Sequence, residues 1–148
     1  MDAMTVAGAI ACLSLSAVGS AVGTGLAAAA AVGSWKKCYA ANKPAPFTLL
    51  TFVGLPLSQT LYGMILMFVM SGKAAVAGIG PAMLVLGLCA GLGIGMSALF
   101  QGRAAACACD AQAETGQGLA NYVIALGVVE TVAIFMMVFT IIALGKIA

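Results

Sequence analysis

Four long apolar stretches alternate with short polar connections along the chain, at 6–33, 46–70, 78–108 and 119–144. A helix needs about 20 apolar residues to cross about 30 Å of hydrocarbon at about 1.5 Å per residue. The pattern therefore predicts four transmembrane helices joined by turns. The runs lack the alternation of barrel strands. The fold class expected is an all-α membrane protein built as two tandem parallel helical hairpins, the first over 1–72 and the second over 73–148.

The connections give the orientation. The stretch 34–46 carries Lys36, Lys37, Lys43 and two prolines, and 110–118 is polar and ends in glycines. Both are expected to be turns on one side of the membrane. Lys73 and Lys146 mark the other side, together with both termini. Counting Arg103, the basic excess lies with the longer turns, so 34–46 and 110–118 are expected to be cytoplasmic and the termini extracytoplasmic. The residues before the first stretch include Asp2 and no base, so it is expected to be a retained span rather than a signal peptide. A bacterial-type plasma membrane is the expected location.

Composition narrows the function. The chain has 148 residues, 64% of them hydrophobic, 7% charged, with a mean hydropathy of +1.17 and no histidine. A soluble domain would carry about a quarter charged residues. The net charge of +2 is spread without a basic patch, which argues against nucleic acid as a partner. Cys12, Cys38, Cys89, Cys107 and Cys109 read as small packing residues, and no organic cofactor is expected. With only turns outside the spans, any catalytic domain belongs to another chain.

The two halves resemble each other. Leu55-Pro56-Leu57-Ser58-Gln59-Thr60 lies over Leu126-Gly127-Val128-Val129-Glu130-Thr131, an offset of 71, and Phe68 keeps it with Phe139. Thr24-Gly25-Leu26-Ala27-Ala28-Ala29 lies over Gln101-Gly102-Arg103-Ala104-Ala105-Ala106, an offset of 77. Two spans per repeat make the halves parallel, unlike the inverted repeats of many transporters. Gly19 and Gly23, then Gly87, Gly91 and Gly95, recur every fourth residue on one helix face, where small residues let backbones approach closely. Two arrangements fit: a compact four-helix bundle, or spans one and three as a tight inner ring wrapped by spans two and four.

Glu130 is the one acid deep within a span, 11 residues past Leu119 and 14 before Leu144. An ionised carboxylate there costs about 2.5 kcal/mol or more, so it must be protonated or paired with a cation. No lysine or arginine is expected at its depth. In an antiparallel hairpin, residues at equal depth are symmetric about the turn. Gln101 then stands level with Glu130, and Thr24 with Gln59, which predicts a single polar layer across all four spans. Leu55, Ser58, Gln59 and Tyr62 form one stripe of span two. Pro56 lacks an amide proton and loosens the preceding turn, freeing backbone oxygen. The Ser58 hydroxyl, the Gln59 and Gln101 amide oxygens and the Glu130 carboxylate make four hard donors with one negative charge, which suits a monovalent cation. Tyr62 is expected to hydrogen-bond the carboxylate.

Leu55-Pro56-Leu57-Ser58-Gln59-Thr60-Leu61-Tyr62, Gln101-Gly102-Arg103-Ala104-Ala105-Ala106, Val129-Glu130-Thr131 and Gly19-Ser20-Ala21-Val22-Gly23-Thr24-Gly25 together resemble the membrane rotor-ring proteolipid of V-type rotary ATPases, the K or c subunit in its duplicated four-helix form. The resemblance covers essentially the whole chain. It implies identical copies in a lipid-embedded ring that turns against a stator membrane subunit supplying an arginine. It also implies a central-stalk connector subunit and ATP hydrolysis in a separate soluble head. In sodium-type members the ion is held at positions matching the Leu55 carbonyl, Ser58, Gln59, Gln101 and Glu130, with Tyr62 steadying the carboxylate. Na⁺ is the expected cargo and H⁺ the alternative. A small four-span multidrug exchanger is the reading from another class, although its essential acid would be expected in the first span.

Overall fold

A computed structural model describes residues 2–147, and among them no strand occurs. The helices are α1 (Ala3–Ala40), α2 (Leu49–Gly54), α3 (Ser58–Ser71), α4 (Gly80–Thr115) and α5 (Leu119–Lys146), with a 3₁₀ turn over Leu55–Leu57. α2, that turn and α3 make one span of 23 residues, so four units are long and apolar enough to cross a membrane. The chain is an all-α integral membrane protein.

The helices outrun the apolar stretches that predicted them. α1 continues through Ser34-Trp35-Lys36-Lys37 to Ala40, and α4 through Asp110 and Glu114 to Thr115. The segments 34–46 and 110–118 are therefore mostly helix rather than turn. Lys, Ala, Gln and Glu are good helix formers in water, so a helix need not stop where the hydrocarbon does. What stops α4 is Gly116, at φ 67°, whose N–H bonds back to the Gln112 carbonyl. α1 begins at Asp2, which accepts from the Met4 N–H at 3.1 Å and from the Thr5 hydroxyl at 3.1 Å. Between the extended ends of α1 and α4, Lys37 donates to Asp110 at 2.8 Å. That hydrogen bond, with the attraction of the same carboxylate, holds the ammonium above its usual pKa.

α1 and α4 lie side by side and parallel, and the glycine stripes are the reason they can. A Cβ at Gly19 would run into the Gly95 backbone, one at Gly102 into Gly23, and one at Gly87 into Gly8. One at Gly91 would stand 2.8 Å from the Cys12 carbonyl oxygen. The facing residues are numbered close to 77 apart, the same as the sequence offset between the halves, so the two hairpins stand at one height. α3 packs on α1, and α5 rests on α4 and α3. Leu66, Met70, Met83, Ile94 and Leu144 form an apolar core towards the termini, and Leu49, Phe52, Ala27, Ala105 and Leu126 form another towards the opposite end. The polar layer lies between them. Cys12, Cys38 and Cys109 are buried, while Cys89 and Cys107 are exposed. α5 turns Ile124, Val128, Phe135 and Phe139 outward.

Candidate functional site

The break in the second span positions the first group of oxygens. Pro56 cannot donate a backbone hydrogen bond, and the chain answers by ending α2 at Gly54 and tightening into the 3₁₀ turn. The Leu55 carbonyl then accepts from the Ser58 N–H and from the Ser58 hydroxyl, the latter at 2.9 Å. The Ser58 oxygen is also 3.2 Å from Gln59 Oε1. The Ser58 oxygen thus stands within contact of two others at the start of α3.

A file of hydrogen bonds leads from them to the acid. Gln59 Nε2 donates to Gln101 Oε1 at 2.8 Å. Gln101 Nε2 donates to the Leu126 carbonyl at 3.0 Å and to Glu130 Oε2 at 3.3 Å. Tyr62 donates to the other carboxylate oxygen, Oε1, at 2.6 Å. Each amide accepts on one side and donates on the side nearer the acid, so the dipoles add towards the negative charge. Both glutamines are fully buried, whereas Glu130 is only partly buried. Gly127, one turn before Glu130 on α5, has open space where a Cβ would stand. The carboxylate sits at the margin of the chain, and its neutral partners sit inside. Leu55, Ser58, Gln59, Tyr62, Gln101 and Glu130 are therefore one connected cluster drawn from three spans.

Two readings from the sequence need correction. Thr24 is not the α1 residue level with Gln59. Gly63 faces Ser16, and a Cβ at Gly23 would stand 3.1 Å from the Pro56 ring, so Ser20 comes opposite Gln59 and Thr24 opposite Leu55. The two helices are not symmetric about the turn because residues 43–46 have no helical structure. Four extended residues descend about 7 Å further than four helical ones, which is about the shift observed. The second correction concerns depth. Arg103 is only two residues beyond Gln101, about 3 Å along α4, so a base does approach the depth of Glu130. It lies on the opposite face, exposed, with its guanidinium 5.7 Å from the centre of the Phe100 ring. It makes no ion pair with the acid.

Sequence reasoning missed two contributors and one neighbour. The Leu126 carbonyl takes one Gln101 amide proton, and the Ser97 hydroxyl donates to the Val129 carbonyl at 3.0 Å, tying α4 to α5 beside the acid. Ser97 is one turn before Gln101 on the same face, a spacing that could have singled it out. Ser20, beside the cluster but not bonded to it, is the third residue missed, buried with its hydroxyl unpartnered.

Residues 84–143 match the family model of the ATP synthase C subunit. The matched segment covers most of α4 and α5 and so includes Gln101 and Glu130, but not the first hairpin. No curated protein matches the chain.

Proposed function

We propose that the chain is the ion-carrying proteolipid of a membrane rotor ring, the duplicated four-helix subunit of a V-type rotary ATPase, and that its cargo is Na⁺. The family match over the second hairpin supports a rotor proteolipid, and the sequence repeat extends that reading to the first. The observation that carries the cargo is the disposition of donors and oxygens around Glu130. Both carboxylate oxygens already accept hydrogen bonds, from Tyr62 and Gln101, which hold the acid in one orientation. Beyond it lie the Leu55, Ser58 and Gln59 oxygens. A proton needs only the carboxylate and one acceptor. A sodium ion needs several oxygens and one negative charge, and this cluster offers both.

On this reading the loaded site is neutral overall and can face hydrocarbon. The neutral ligands stay fixed inside the protein, and the acid at its margin is the group a stator arginine meets. Displacement of Na⁺ by that guanidinium leaves the carboxylate paired at every stage, which avoids the cost of a lone charge in lipid. The ring of identical copies, the stator arginine and the central-stalk connector belong to this proposal.

The test is carbodiimide labelling of Glu130 in membranes at fixed pH, since the reagent attacks the protonated acid. Millimolar Na⁺ is expected to suppress labelling steeply, while the same concentration of choline leaves it unchanged. Labelling indifferent to Na⁺ would overturn the cargo in favour of H⁺. A detergent-extracted particle the size of a dimer would overturn the ring and favour the exchanger.

A further inference from the structure

Two hydroxyls on α1 lie against the site without taking part in it. Ser20 is 1% exposed, and neither its Oγ nor the buried Oγ1 of Thr24 has a hydrogen-bond partner. Native structures rarely leave such groups bare, because an unmade bond costs about 1–3 kcal/mol. The closeness of Ser16 to Gly63 and of Gly23 to Pro56 fixes the face they occupy, which is the one turned to the broken stretch of the second span. The second hairpin has a counterpart. Ser97, 77 residues after Ser20, donates to the Val129 carbonyl of α5, and Gln101, 77 after Thr24, donates to the Leu126 carbonyl. In the first hairpin the same two positions carry hydroxyls that reach no carbonyl.

One water molecule would satisfy both hydroxyls. Side chains four residues apart on a helix stand about 5–6 Å from each other, the span of two hydrogen bonds meeting at one oxygen. A buried water makes about three such bonds to groups the protein leaves unpaired. Pro56 also has no N–H to offer the Phe52 carbonyl four residues back. We infer that Ser20 and Thr24 hold one buried water between α1 and the break in the second span, and that through it they position the Leu55 and Gln59 oxygens for the cation. The inference rests on the sodium reading above. Ser20 and Thr24 are positioning residues, since the water and the α3 backbone stand between them and the ion.

The test is Na⁺ protection of Glu130 from carbodiimide in membranes carrying the full complex. The double variant S20A/T24V is expected to raise the protecting Na⁺ concentration about tenfold. The labelling rate without Na⁺ and the size of the extracted particle should stay as in the parent, which a merely structural defect would not allow. T24S, which keeps the hydroxyl, should restore the parental midpoint when compared with T24V. Should the double variant fail to assemble, T24V alone is read in the same way. An unchanged midpoint overturns the inference. So does a density map resolving waters in which both hydroxyls bond directly to protein. If the parent itself shows no Na⁺ protection, the cargo reading has failed, and the map then decides the water independently.

Discussion

The two hairpins are built on one sequence pattern and use it for different ends. In the second, Gln101 reaches across to α5, places one amide proton on the Leu126 carbonyl and another on Glu130. In the first, the corresponding residues are Thr24, Leu55 and Gln59. A threonine is too short to cover the Leu55 carbonyl, which accepts only from Ser58 among its neighbours in the cluster. The place of the acid holds a neutral amide, fully buried. One copy of the pattern thus retains the charge and the other contributes uncharged oxygen. The difference teaches that duplication allows a site to be divided: on the proposed reading, the half without a carboxylate is the wall against which the other half's ion would be held.

The most drastic way to erase the contrast is Glu130→Gln. Transport and carbodiimide labelling should both fall to background, and vectorial Na⁺ movement in that variant would remove the asymmetry altogether. Nearly as large is the effect expected at the seam the hairpins share. Gly19→Val drives a side chain into the Gly95 backbone, so no ring-sized particle should be recovered after detergent extraction. Gly25→Ala, where a Cβ meets open space, should assemble normally.

Gln59→Leu sharpens the division of labour. It removes one oxygen and leaves Gln101 Oε1 without its donor, so the Na⁺ concentration needed for protection should rise tenfold or more, at about 1.4 kcal/mol per decade. Tyr62→Phe deletes one hydrogen bond to the carboxylate, and a shift of about three- to tenfold is expected in the same assay. The smallest effect lies at the exposed ends. Lys37 and Asp110 are 74% and 54% exposed, and Lys37→Ala should leave both the protection midpoint and the melting of the extracted particle unchanged.

Much of this layout was legible in the sequence, and the exceptions have physical causes. The Gln101–Glu130 level could be computed because the turn between α4 and α5 is short, closed by Gly116 and Gly118, with almost nothing extended in it. The same arithmetic misplaced Thr24, since residues 43–46 descend without helical structure and no spacing rule registers that. The stripe Leu55, Ser58, Gln59, Tyr62 needed only helical periodicity, which survives the 3₁₀ turn because the break adds no residue out of phase. The Leu126 carbonyl was beyond reach, as backbone acceptors carry no signature in sequence. The limits of α1 and α4 were misjudged for another reason: hydropathy marks where lipid ends, and the helix itself obeys propensity and caps.

That last point has a mechanical consequence. At about 1.5 Å per residue, the 38 residues of α1 and the 36 of α4 measure about 57 and 54 Å, roughly twice the thickness of the oily layer they traverse. The surplus continues as unbroken helix, with Trp35 donating to the Pro46 carbonyl at 2.8 Å. A partner gripping those stubs would take hold of stiff shafts rather than slack loops. Twist applied at one end would then arrive at the middle with little lost to bending.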